Sequence, residues 1–210
     1  MAKKIPQINA SSMADISFLL LIFFLVTTSM DVNKGLVRRL PPPAPEKQEK
    51  TNVDINKRNL LVVRINSKND VYYRDGSMEM GDLEKINSLD ELRALVKEFI
   101  VNPKNKSHYP KLVTEVITSS NEKENKAFEE FGEVEYTKDH IISVQNDVDT
   151  QYQAYLDVQN ELVAAYNQVR EEFSLSKFGR HFKDLTDMEQ KFVQKVYPQK
   201  ISEAEPKNYN

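Results

Sequence analysis

The sequence predicts one N-terminal transmembrane helix followed by a small α/β domain, a two-layer sandwich of one sheet packed on helices. Three observations carry that prediction. A single long apolar run, Met13 to Met30, stands near the start. The polar remainder alternates strand-like and helix-like patterns over a length suited to one domain of ordinary size. No residue pattern for a catalytic or metal centre interrupts it.

From Ile16 to Met30 the run holds fifteen residues without a charge. At ~1.5 Å of helical rise per residue that covers roughly 22 Å, short of a hydrocarbon core of ~30 Å. A spanning helix over 11–30 therefore extends back through Asp15 towards Ser11 and Ser12. The arithmetic that makes the segment transmembrane places an ionisable carboxyl in or beside the hydrocarbon. Such a residue costs about 2.5–3.5 kcal/mol at a helix centre and normally faces another helix or a water-filled path. Asp15 is thus a candidate proton-carrying residue, and Leu19, Ile22, Val26 and Ser29 continue its stripe as the expected partner-facing surface. The bland alternative is an interfacial charge on a plain membrane anchor. A cleaved signal peptide, with Lys3 and Lys4 as its basic end, fits poorly because an Asp opens the apolar region and no Ala-x-Ala site follows.

The chain has 210 residues, a formal net charge of −3 and 29% charged residues. The two signs are interleaved, which leaves no basic patch for nucleic acid. Cysteine is absent, which removes disulfides, thiol nucleophiles and thiolate metal sites. Lys3 and Lys4 precede the apolar run, whereas Lys34, Arg38 and Arg39 follow it, so the charge rule for orientation is not decisive.

Residues 1–10 are a short N-terminus. Residues 31–59 read as a linker, because Pro41, Pro42, Pro43 and Pro45 favour polyproline geometry and the following stretch is charged and aperiodic. Within it Leu36–Leu40 alternates as an extended strip suited to edge-to-edge pairing with another chain. The folded domain is expected over 60–204. Leu60–Ile65 and Val71–Tyr73 read as a hairpin about the turn Ser67–Asp70. Ser88 and Glu91 form a capping-box pattern opening a helix to about Ile100, with Pro103 beyond it. Lys111–Ser119 suits a strand or a short helix, and Asn121–Glu135 is a charge run around Phe128 and Phe131.

His140–Val144 is a strand. Thr150 with Gln153 suggests a second capping box, opening a long helix that carries Tyr152, Tyr155, Leu156, Leu162, Val163, Tyr166, Val169 and Phe173. The tyrosine row is expected to pack in the core. Thr186 with Glu189 is a third capping box, ending near Pro198. Ile201–Ala204 is a last edge strand, and 205–210 a disordered tail. His108, His140 and His181 lack metal-ligand spacing. Asp147 and Asp149 suit a turn better than a calcium site. Neither a cofactor nor a metal is expected.

The run Ile8-Asn9-Ala10-Ser11-Ser12-Met13-Ala14-Asp15, followed by Ile16-Ser17-Phe18-Leu19-Leu20-Leu21-Ile22-Phe23-Phe24, resembles the transmembrane signature of the ExbD/TolR biopolymer-transport family. In that family Ile-Asn and a short polar or Pro-containing step precede an Asp that opens a Leu/Ile/Phe-rich helix. Ser11 and Ser12 stand where many members have Thr-Pro. The resemblance covers residues 8–41, including Val37, Arg38, Arg39, Leu40 and Pro41, which are similar to the family's Leu-Pro-terminated motif after the helix. It returns over 60–101 and 139–172, where strand, Asn-Asp turn and Tyr-rich helix follow one another. Segments near 102–138 and 174–199 look like insertions relative to compact members.

The resemblance, closest to ExbD, implies a non-enzymatic motor subunit of the bacterial inner membrane, with a cytoplasmic N-terminus and a periplasmic C-terminal domain. Its implied partners are a pentameric ExbB-like multi-span ring, a second copy of the chain, a TonB-like energy transducer and the lipid bilayer. The implied work is proton-motive-force-driven transport across the outer membrane, with Asp15 carrying the proton. TolR-like envelope maintenance and a membrane-anchored binding module without energised function remain as alternatives.

Overall fold

A computed structural model describes residues 10–28 and 56–204, with side chains over 13–25 and 56–204. The chain divides into two compact units, 1–51 and 52–210. In the first unit, helix α1 runs Ala10–Thr28. The side chain of Val26 lies outside the described residues. Ser29, the Val37–Pro41 motif, most of the 31–59 linker and the 205–210 tail lie outside the described residues.

The second unit is a small α/β domain built on a mixed five-stranded sheet. The strands are β1 (Leu60–Ile65), β2 (Val71–Arg74), β3 (Glu84–Ile86), β6 (Ile141–Asn146) and β7 (Ile201–Glu203), in the order β3-β2-β1-β6-β7. The first three pair antiparallel, while β6 pairs parallel with β1 and β7 parallel with β6. The expected hairpin forms, and its turn is locked by Asn66, whose Oδ1 accepts from the backbone N–H groups of Lys68 and Asp70 at 3.0 and 2.8 Å. Asn69 takes the left-handed conformation at φ 66°, which Asn tolerates better than most residues.

One face of the sheet carries Leu61, Val63, Ile65, Ile142 and Val144, each almost wholly buried. Alternate residues of a strand share a face, and this one lies against helix α2 (Leu89–Val101) and helix α4 (Tyr152–Phe178). Helix α2 contributes Leu92, Val96, Phe99 and Ile100; α4 contributes Val158, Leu162, Ala165, Tyr166 and Val169. Each fully buried aliphatic side chain is worth roughly 1.5–3 kcal/mol relative to exposure. Ser88 caps α2 by accepting from Glu91 N–H at 3.1 Å. The reciprocal bond goes one residue further back than the motif implies, from Asn87 N–H to Glu91 Oε2 at 2.9 Å.

Several expectations are corrected. Strand β3 forms where no strand was read. Of the two options for 111–119, the strand is realised as β4 (Leu112–Val116), paired antiparallel with β5 (Glu133–Thr137) in a second, two-stranded sheet. The charge run folds as helix α3 (Glu122–Phe131), capped by Asn121 and burying Phe128, and then as the first part of β5. The Thr150 capping box does not form. The Thr150 hydroxyl instead bonds the Ile65 and Asn66 carbonyls at 3.3 Å, so closure of the β1 end outcompetes the cap, and Gln151 takes the N-cap position without a side-chain bond. The third box is complete: Thr186 and Glu189 cap each other at the start of helix α5 (Asp187–Val196).

Candidate functional site

Helix α1 is apolar on every side except for Asp15, the one charged side chain among residues 10–28. At 100° per residue, Asp15, Leu19 and Ile22 share a side of the helix. Ile16 and Phe18 to Leu25 are all large, apolar and exposed, from 42% at Ile22 to 64% at Leu25. A helix that is hydrophobic all round belongs inside a protein assembly or a membrane. The Ser17 hydroxyl is satisfied within the helix, donating to Met13 C=O at 2.9 Å, so it adds no polar demand on the surroundings. An ionised Asp15 carboxylate can only accept, and the interior helical N–H groups are already bonded along the backbone. Among the described residues no helix is long and apolar enough to cross a membrane; at ~1.5 Å per residue the 19 residues of α1 cover about 28 Å.

The titratable residues of the second unit are arranged as structural elements. His140 is wholly buried at the start of β6, with Nδ1 3.0 Å from Thr137 C=O. Burial pushes its imidazole down to about 4, against the smaller opposing pull of the Thr137 carbonyl. The neutral ring leans on Tyr166, with centroids 5.9 Å apart. Tyr166 is itself buried, which pushes its phenol up to about 12, and its oxygen accepts from Lys200 N–H at 3.2 Å. Arg170, on the next turn of α4, donates twice to the Tyr197 carbonyl at 3.0 and 2.8 Å. Together these groups fasten the C-terminal segment 197–201 to α4 and β6.

The tyrosine row thus divides. Tyr166 is core; Tyr155 is half-buried and its hydroxyl accepts from Gln159 at 3.2 Å; Tyr152 is 73% exposed, contrary to the expected packing. Asp147 closes a turn, accepting from Thr150 N–H at 3.2 Å through its backbone carbonyl. Among the described residues no group of three or more His, Asp and Glu side chains converges as a metal site.

Sequence reasoning singled out neither Arg170 nor the buried Asn102. Asn102 sits at φ 45° after α2, donates to Pro110 C=O at 2.8 Å and accepts from Lys106 N–H at 2.8 Å, which folds the 102–110 loop on itself. An Asn directly before Pro103, at the end of a predicted helix, was the available hint.

The family model described as biopolymer transport protein ExbD/TolR matches residues 1–170. No curated protein matches the chain. The match takes in α1 with Asp15, β1 to β6 and most of α4; α5 and β7 lie beyond it.

Proposed function

Because the chain belongs to the ExbD/TolR family of biopolymer transport proteins, we propose that it is the ExbD-like subunit of a proton-driven inner-membrane motor that energises TonB-dependent transport across the outer membrane. The observation that carries this reading is Asp15, a lone acid on a helix otherwise apolar on all sides. With residues flanking 10–28 included, α1 crosses the inner membrane once, its N-terminus in the cytoplasm and the 60–204 domain in the periplasm.

In this mechanism the Asp15 carboxylate faces an ExbB-like multi-span ring along the Leu19, Ile22, Val26 and Ser29 stripe. A proton entering from the periplasmic side binds one carboxylate oxygen and removes the charge; release on the cytoplasmic side restores it. Each state favours a different contact with the ring, because an ionised carboxylate seeks donors or water while the neutral acid tolerates apolar surroundings. Repetition moves one subunit against the other. The membrane potential supplies ~2.3 kcal/mol per proton per 100 mV. Two copies of the chain share one ring. The linker and its Val37-Arg38-Arg39-Leu40-Pro41 motif pass the motion to a TonB-like transducer.

The test is Asp15→Asn, which keeps size and hydrogen bonding but removes the exchangeable proton. Energised uptake is expected to vanish while copurification with the ring protein persists. Full uptake by this variant overturns the proton-site assignment. Copurification with a TolA-like protein in place of a TonB-like one reassigns the chain to envelope maintenance.

A further inference from the structure

The five-stranded sheet has a second face, turned away from α2 and α4. Val62 and Arg64 of β1 point to it, because their neighbours Leu61, Val63 and Ile65 point into the core. Register places Arg74 opposite Val62 and Tyr72 opposite Arg64 on one side, and Ser143 and Gln145 opposite the same pair on the other. The loop 75–83, between β2 and β3, forms a wall beside this face. Between loop and sheet lies a crevice of about 160 Å³ lined by Val62, Arg64, Arg74, Asp82, Leu83 and Gln145.

The wall is built rather than slack. Asp75 is buried and its Oδ1 accepts from Ser77 N–H at 2.8 Å and from the Ser77 hydroxyl at 2.5 Å. Met78 N–H donates to Asp75 C=O and Asp82 N–H to Glu79 C=O. Gly76 is pressed so tightly that a Cβ there would lie 2.4 Å from His108 C=O and 2.7 Å from Arg58 Cα. The loop base is therefore fixed to two other segments of the domain. At its tip Met80 is 80% exposed, the most exposed large apolar side chain in the described domain.

The chemistry of the crevice is specific. Its floor, Val62 and Leu83, is aliphatic, and Val62 is 4% exposed. Two guanidinium groups, Arg64 and Arg74, and one carboxylate, Asp82, stand beside that floor and leave the crevice net positive, in a protein whose formal net charge is −3. Lys85, on the same face of the sheet, pairs with Asp70 at 2.7 Å. Arg74 is half-buried, and its side chain makes no hydrogen bond or ion pair with any other described residue. Arginine presents a planar fork that matches a carboxylate with two parallel bonds. An exposed methionine on a fixed loop is an adaptable apolar contact, and a wall already in place lowers the ordering cost of binding.

We propose that this crevice is a docking site for an extended peptide segment of a partner protein that alternates aliphatic and acidic residues. An aliphatic side chain lies on Val62 and Leu83, with Met80 of the same loop as a further apolar contact, and the adjacent carboxylate bridges to Arg74 in the positive field of Arg64. The proposal stands apart from the motor reading, since binding is measured without a proton gradient.

The experiment is fluorescence anisotropy with the full-length chain in detergent and a labelled hexapeptide of alternating leucine and glutamate. The peptide is expected to bind, and its leucine–glutamine counterpart to bind roughly tenfold more weakly, the loss of a charge-assisted pair. Arg74→Ala is expected to weaken the glutamate peptide by a similar factor, and Arg74→Lys nearly as much, because lysine keeps the charge but not the fork. Met80→Ala lowers affinity a fewfold. Circular dichroism confirms that each variant is folded; Arg74→Lys serves where Arg74→Ala is not. Equal binding of the two peptides, unchanged affinity in folded Arg74 variants, or competition by free glutamate at the same concentration as peptide each overturns the proposal.

Discussion

Two regions of the α/β domain are built on different principles. The frame of β1, β2, β6, α2 and the first turns of α4 is held by aliphatic side chains, among them Leu61, Val63, Ile65, Leu92, Ile142, Val144 and Leu162. The segments 102–138 and 174–199, expected from the sequence as two insertions, form one layer joined by aromatic rings. Phe192 of α5 lies 5.2 Å from Phe128 and 5.0 Å from Phe131 of α3, and 6.2 Å from Phe178 at the end of α4, centroid to centroid. The Lys191–Glu124 ion pair at 2.8 Å joins the same two helices. The reason lies in element length. Helices α3 and α5 have ten residues each, six of them charged in α3 and four in α5; α3 buries only Phe128, whereas α5 buries Phe192, Val193 and Val196. A short element with one apolar position secures itself best with the largest side chain, and an aromatic ring buries about 150–250 Å². The frame has longer apolar stripes and spreads the same task over many contacts.

The sharpest way to break this comparison is at Phe192, which is wholly buried. Phe192→Ala is expected to cost about 3–5 kcal/mol, lost transfer energy plus the cavity left among the rings of Phe128, Phe131, Phe173 and Phe178. Hydrogen exchange should show α3 and α5 opening together while β1 and β6 stay protected. If α3 keeps its protection while α5 opens, the two insertions are independent additions and the single-layer description fails.

The seam between frame and added layer gives the next largest effect. His140 opens β6, whose Ile142 N–H bonds the Lys200 carbonyl of the segment leading into β7 at 2.9 Å. Its imidazole is held down at about 4 by burial, with Lys200 nearby adding to the shift and Asp139 opposing it. The unfolded chain takes up this proton near 6.5. Stability from His140 is therefore complete above about 6.5 and falls as pH drops towards about 4, because only the unfolded state binds the proton in that window. The loss approaches about 3 kcal/mol. Urea melts followed by circular dichroism from pH 7 to 4 measure it, and His140→Gln should flatten the profile over that range. The lowered carboxylates of Glu115, Glu171 and Glu189 contribute as pH falls below their usual range, so the difference between wild type and variant is the quantity that isolates the histidine. A variant with the same slope assigns the pH dependence to those carboxylates instead.

The same contrast explains which parts were readable in advance. Leu60–Ile65 and the Ser88-capped helix announced themselves through unbroken apolar pattern and local capping chemistry. Glu84-Lys85-Ile86 did not, because a three-residue edge strand with one apolar side chain has no period to detect. Glu133–Thr137 did carry one, since Val134 and Tyr136 alternate with two glutamates and both are buried, but the surrounding charge run masked it. Thr150 misled because its hydroxyl had two possible uses and a long-range contact with β1 took it. Asp15 was evident as a charge in an apolar run. The crevice at Arg74 was not, because it depends on which residues stand opposite one another across strands and on a loop fixed by Gly76.

The smallest effect sharpens the comparison best, because it applies one chemical change to both regions. Ser88 caps α2 of the frame and Thr186 caps α5 of the added layer, each accepting from the third N–H of its helix. Replacing either with Ala costs about 1 kcal/mol. Helix α2 buries Leu92, Val96, Phe99 and Ile100 against the main sheet, so it unfolds only with the whole frame, and Ser88→Ala should lower the global midpoint of denaturation. The apolar side chains that helix α5 buries are only Phe192, Val193 and Val196, with Phe192 set among the rings of α3 and α4, so Thr186→Ala should speed exchange within 187–196 and leave the exchange of β1 almost unchanged. Equal shifts of the global midpoint in both variants, with no local signature in α5, mean that the aromatic layer and the aliphatic frame melt as one unit, and the distinction between them is then one of composition alone.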